Sequence, residues 1–119
     1  MPRKGHKAES GEFSEMIQSG FKLVQKRQNM TGEQVRRDVA KYLGLAEKTI
    51  ETRQYNGTLP QSDEEAEIWA RFFKDKGGAK IDWAIAFLRA ADHTDLKSAL
   101  EKLYPNVSAD RYYSVTKEI

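Results

Sequence analysis

The chain of 119 residues has no cysteine, only two histidines and only three prolines. Without cysteine it has neither disulfides nor thiolate chemistry, and redox state places no constraint on its compartment. No apolar run approaches the roughly 18 residues needed to cross a bilayer. The opening stretch MPRKGHKAESG lacks the apolar core of a secretory signal, so a cytoplasmic protein is expected. A Gly-rich phosphate loop, a nucleophile elbow and zinc-ligand spacing are all missing. His6 falls in the opening stretch, and His93, expected to be exposed, falls between two helical segments; neither stands in a partner cluster for a metal. Asp63, Glu64, Glu65 and Glu67 are explained by a helix start, where the dipole favours negative charge. The expectation is a non-enzyme, with no cofactor, no metal, no membrane association and no evident small-molecule ligand.

What is present describes one globular domain with a modest core: 39% of residues are hydrophobic and 32% are charged. The net charge is only +2, but it is unevenly spread. Residues 1–60 carry 11 Lys and Arg against 7 Asp and Glu, whereas residues 61–119 carry 9 against 11. An electrostatic footprint for phosphate is therefore expected in the first half. A scatter of charge on a solvated surface explains the same excess equally well.

Along the chain, residues 1–11 read as a flexible basic arm carrying Arg3, Lys4 and Lys7. A first helix is expected over about 12–28, with Phe13, Met16, Ile17, Phe21 and Val24 at helical spacing and Gly20 on the same face, where another helix can come close. Thr31 is a natural N-cap for a second helix over about 32–43, with Val35, Val39, Tyr42 and Leu43 buried and Gly44 ending it. A third helix over about 47–55 turns Ile50 inward, and Asn56-Gly57 and Pro60 mark a break. Ser62 caps a fourth helix with the stripe Ala66, Trp69, Phe72 and Phe73, ended by Gly77-Gly78. The fifth, about 81–91, is apolar all round, which means either the centre of the core or an added contact surface. Trp69, Phe72, Phe73, Trp83 and Phe87 read as core, and part of Trp83 and Phe87, with Tyr104, Tyr112 and Tyr113, is the candidate dimer or partner surface. Thr94 is expected to cap a sixth helix that buries Leu96, Ala99, Leu100 and Leu103 before Pro105 stops it. Residues 105–119 form a C-terminal extension, compatible with a short helix capped by Ser108, a strand or a linker. The fold class is all-α: a five- to six-helix bundle spanning 12–104.

The span RRDVAKYLGLAEKTIETRQYNG has the requirements of a helix-turn-helix. Ala40 is small where the two helices cross, Gly44 opens the turn, and Val39, Leu43, Leu45 and Ile50 lock the second helix onto the first. In such a unit the second helix lies in the major groove and its early residues reach base edges. Its outward residues are Glu47, Lys48, Thr49, Glu51 and Thr52.

The stretch DVAKYLGLAEKTIETRQYNGTLP resembles the lambda-repressor-like family, also called the XRE or Cro/C1 type. The matching positions are Val39, Ala40, Leu43, Gly44, Leu45, Thr49, Ile50, Asn56, Gly57 and Pro60. The likeness is strongest over about 25 residues and extends loosely over 13–91 through helix number and order. It implies a five-helix bundle that binds DNA sequence-specifically, usually as a dimer. The chain diverges from the family at three places. Arg36 stands where the family often has a glutamine touching backbone or base, in a stretch between Thr31 and Ala40 longer than the family's short second helix. Arg53 stands at a position that is normally apolar and inward. One residue is inserted before Asn56-Gly57 and one removed after it, so the recognition helix either runs longer or packs its end differently.

Two functions are carried forward. The first is a sequence-specific DNA-binding domain of a transcriptional regulator. It would take double-stranded DNA as partner and form a homodimer through the fifth helix or the C-terminal segment. Its candidate contacts are Arg36, Arg37, Lys41, Glu47, Lys48, Thr49, Thr52 and Arg53, with Arg3 and Lys4 of the arm entering a groove and Lys22, Lys26 and Arg27 widening the basic patch. The second is an all-helical adaptor for protein partners, the amino-terminal module of a longer chain. The acidic pair Glu47 and Glu51 and the apolar excess of the fifth helix favour it.

Overall fold

Amphipathic periodicity, caps and glycine stops divide the described residues into six α-helices. The structure, a computed structural model, describes residues 11–106. The helices are α1 (Glu12–Gln28), α2 (Gly32–Leu43), α3 (Glu47–Glu51), α4 (Asp63–Gly77), α5 (Ile81–Ala90) and α6 (Leu96–Leu103). A π-helical turn over Thr52–Asn56 continues α3. No β-strand occurs among the described residues, and no helix among them is long and apolar enough to cross a membrane. The arm residues Arg3, Lys4, Lys7 and His6, and the tail from Val107 through Ser108, Tyr112 and Tyr113, lie outside the described residues.

The central helix is α1, which packs against α2, α4, α5 and the π turn. Its stripe of Phe13, Ile17, Phe21 and Val24 is buried as expected. Phe73 of α4 is the hub of the core. Its ring lies 5.3–6.4 Å, centre to centre, from the rings of Phe21, Trp69, Phe72, Trp83 and Phe87. That geometry requires Gly20: a Cβ added there would stand 2.6 Å from the Phe73 ring. Fully burying one such aromatic contributes about 2–3 kcal/mol, so the crossing of α1 and α4 anchors the bundle.

Several expectations are corrected by the packing. The apolar excess of α5 is absorbed, because the helix lies against α1, α4 and α6 together. Phe87 is fully buried, and half-buried Trp83 stacks on it and donates from Nε1 to Ser19 Oγ at 3.1 Å. The exposed residues of α5 are Asp82, Ala86 and Arg89, so of the apolar surface expected from Trp83 and Phe87 only the half-buried Trp83 reaches the outside. Tyr104 likewise turns back on the domain, donating to the Ala79 carbonyl at 2.8 Å. Tyr42 is not buried; its ring meets Phe72 edge-on and its hydroxyl reaches Asp75.

The corner between α5 and α6 also differs from expectation. Asp95, not Thr94, caps α6, accepting from the Ser98 N–H at 3.1 Å. Thr94 instead donates through its backbone N–H and its hydroxyl to the Asp63 carboxylate at the start of α4. His93 is not exposed: its side chain is almost fully buried, Nδ1 accepts from the Asp95 N–H, and Nε2 lies 2.8 Å from Glu67. These contacts tie both ends of the α5–α6 corner to the first turns of α4.

The Gly20 contact gives a stability test. Gly20→Ala forces the Phe73 ring off its neighbours and is expected to cost about 1–3 kcal/mol, the usual range for overpacking. A urea unfolding midpoint equal to that of the unaltered chain would contradict this packing.

Candidate nucleic-acid interface

The candidate surface is built by α2, α3 and the π turn. Thr31 caps α2 through a reciprocal pair: its hydroxyl accepts from the Gln34 N–H, and the Gln34 side chain accepts from the Thr31 N–H. At the other end Gly44 adopts a left-handed conformation (φ 69°), and the N–H groups of Gly44 and Leu45 both turn to the Ala40 carbonyl. Ala46 then starts α3 without a side-chain cap. Val35, Val39 and Ile50 are fully buried and Ala40 nearly so, while Leu43 and Leu45, also expected to lock the second helix onto the first, are partly buried against the core.

The end of α3 is where the chain departs from a regular helix. A π turn over Thr52–Asn56, which holds one more residue per turn than an α turn, follows α3 directly. It faces Arg53 and Gln54 inward and leaves Tyr55 and Asn56 exposed. The Gln54 carbonyl near this helix end accepts from the Ser14 hydroxyl and from Gln18 Nε2 of α1. Gly57 then takes a left-handed conformation (φ 71°) and releases the chain toward α4.

Arg53 is the largest correction among the candidate contacts. It is 4% exposed and faces the interior. Its Nε and Nη2 donate to the two oxygens of Glu65 at 2.9 and 3.1 Å. Glu65 also accepts from the Gln61 N–H at 3.1 Å and from Trp69 Nε1 at 3.0 Å. Four donors thus converge on one carboxylate, and the buried guanidinium of Arg53 has its counter-ion. Burial alone would push the Glu65 carboxyl up. The hydrogen bonds from Arg53 and Gln61, the Arg53 charge and the Trp69 bond outweigh it and hold the group below the ordinary glutamate range.

The other candidate contacts divide by exposure. Arg37, Lys41, Glu47 and Lys48 are exposed, whereas Thr49 and Thr52 are half-buried. Thr52 donates its hydroxyl to the Lys48 carbonyl of its own helix. Arg37 pairs with Glu33 one turn earlier at 2.8 Å. Arg36 is drawn across to the end of α3, donating from Nη2 to the Tyr55 hydroxyl at 3.1 Å and standing 3.8 Å from Glu51. Both arginines of α2 therefore already have acidic neighbours. A shallow groove between α2 and α3 is lined by Arg37, Lys41, Gly44 and Glu47, and a second along α3 by Lys48, Glu51, Thr52, Tyr55 and Asn56. The structure thus brings Arg36, Arg37, Lys41, Glu47, Lys48, Thr49 and Thr52 to one region and removes Arg53 from it. Tyr55 is the site residue that sequence reasoning missed. Its exposure depends on the π register, for which the misplaced Asn56-Gly57 was the only signal.

Among the described residues no group of three or more His, Cys, Asp or Glu is arranged to hold a metal ion. No protein-family model matches the chain, and comparison with curated proteins and with solved structures yields no match.

The buried pair makes two linked predictions. Arg53→Ala leaves the Glu65 carboxylate buried without its main partner and is expected to cost roughly 3–5 kcal/mol. The double variant Arg53→Ala/Glu65→Ala should be less destabilised than the sum of the two single variants, as measured by urea unfolding. A lowered carboxylate pKa contributes stability that is fully present above the unfolded value of about 4.3 and is lost as pH falls through the folded value. The unaltered chain should therefore lose stability below about pH 4.3 more steeply than Arg53→Ala does; equal slopes would contradict the assignment.

Proposed function

We propose that this chain is a DNA-binding domain of a transcriptional regulator. In this reading α2, the turn at Gly44–Ala46 and α3 act as a helix-turn-helix of the lambda-repressor-like kind, and α3 enters the major groove of duplex DNA. The observation that carries it is the division of α3 and its π continuation. Ile50, Arg53 and Gln54 fasten one side to the bundle, while Glu47, Lys48, Thr52, Tyr55 and Asn56 line the side that faces out. Hydrogen-bonding groups on a firmly seated helix are what base-edge recognition requires. Lys48 on α3 and Arg37 and Lys41 on α2 supply cations for phosphates on either side, and the groove between the two helices separates them. Two half-sites on DNA would call for two copies.

A second reading has its own observation. Arg36 and Arg37 are met by Glu51 and Glu33, and Glu47 is exposed beside them. This surface, with acidic and basic side chains interleaved, suits a helical adaptor that docks a protein partner of complementary charge pattern.

Titration of labelled duplex DNA at two salt concentrations separates the readings. The DNA reading predicts binding that weakens with salt, and Arg37→Ala and Lys41→Ala should each lower the slope of log K against log salt by about one. Absence of binding at low salt, or binding indifferent to salt, sinks it and leaves the adaptor.

A further inference from the structure

Among the described residues two large apolar side chains are exposed, Tyr55 at 59% and Tyr42 at 38%. The exposure of Tyr42 is accounted for by its edge contact with Phe72 and its bond to Asp75. Tyr55 packs on no other ring of the described residues; its neighbour is Arg36, whose guanidinium carbon lies 5.9 Å from the ring centre. The side chain is not loose at a terminus. It sits on the π turn, whose preceding residues Arg53 and Gln54 are buried, and its hydroxyl accepts from Arg36 at 3.1 Å. A ring held outward in this way, in the groove shared with Lys48, Thr52 and Asn56, exposes apolar surface at the proposed interface.

What the ring can meet follows from its surroundings. Its hydroxyl oxygen accepts from Arg36, so the apolar surface the ring leaves open is its carbon edge. Glu51 lines the same groove and pairs with Arg36, and its carboxylate disfavours a phosphate oxygen at this place. The major-groove edge of a base pair is uncharged and carries one apolar group, the 5-methyl of thymine. Resting on the DNA-binding reading above, we propose that Tyr55 is a specificity determinant that packs its ring against the 5-methyl group of a thymine in the recognised site.

The test uses the full chain and the duplex it selects from a random-sequence pool. Each thymine of that duplex is replaced in turn by uracil, which removes only the methyl group. Tyr55 is exposed, so its variants should fold; an unfolding midpoint confirms this before binding is measured. Tyr55→Ala should weaken binding about tenfold, while Tyr55→Phe, which keeps the ring, should stay within about twofold. Uracil at one thymine should weaken binding by the unaltered chain about fourfold, the value of one buried methylene-sized group, and should not weaken binding by Tyr55→Ala. The proposal is overturned if Tyr55→Ala binds as the unaltered chain does. It is also overturned if Tyr55→Phe loses as much as Tyr55→Ala, or if no uracil substitution matters. Failure of the unaltered chain to retain any duplex overturns the DNA-binding reading and this proposal together, whereas retention without Tyr55 dependence overturns this proposal alone.

Discussion

Glu65 accepts hydrogen bonds from Arg53, from the Gln61 backbone and from Trp69, and the orientation of α3 depends on that one carboxylate. A buried charge is costly unless every lone pair and every donor is satisfied. The guanidinium of Arg53 therefore cannot rotate outward without leaving Glu65 unpaired inside the bundle. Since Arg53 lies in the π turn that ends α3, fixing Arg53 fixes which residues of α3 look outward. The same carboxylate also holds the loop before α4 and the indole of Trp69, whose ring lies beside Phe73. The polar anchor at one end of α3 and the aromatic hub of the core are thus one connected structure.

Most of the helical layout was legible in the sequence because it rests on local rules. Thr31, Gly44, Ser62 and the Gly77-Gly78 pair cap or stop helices where their backbone chemistry says they should. The stripes of α1, α4 and α6 follow the helical period, and Gly20 announced a close crossing. Pairings between residues distant in sequence were not legible. Nothing local shows that Arg53 will find Glu65, that Thr94 will bond Asp63 and leave the cap of α6 to Asp95, or that His93 will be covered beside Glu67. Helix α5 left a choice open for a related reason. An all-round apolar helix signals either a partner surface or a central position, and only the tertiary arrangement decides between them.

The candidate site was half legible. Ala40 and Ile50 are buried and Gly44 ends α2 in a left-handed conformation, as the spacing leads one to expect. The side chains offered to a partner depend instead on the π turn, which adds one residue and changes what faces out beyond Glu51. A one-residue mismatch at Asn56-Gly57 was visible in the sequence, but whether it lengthens a helix or widens a turn is settled by packing against α1 and α4. The electrostatics are also more balanced than a count of basic residues suggests. Arg36 and Arg37 both have carboxylate neighbours, so affinity for a polyanion would rest on Lys41, Lys48 and the release of those pairs. A surface of this kind leans toward recognition through shape and specific contacts over strong non-specific attraction.

The central claim is that α3 and its π turn form the face that meets duplex DNA. Backbone amide chemical shifts of the isotope-labelled chain, followed by NMR as a selected duplex is added, test it most directly. The account predicts that the largest changes fall on Arg37, Lys41, Lys48, Thr52, Tyr55 and Asn56, with α5 and α6 unmoved. Changes centred on α5 or α6, or a spectrum indifferent to the duplex, would contradict it.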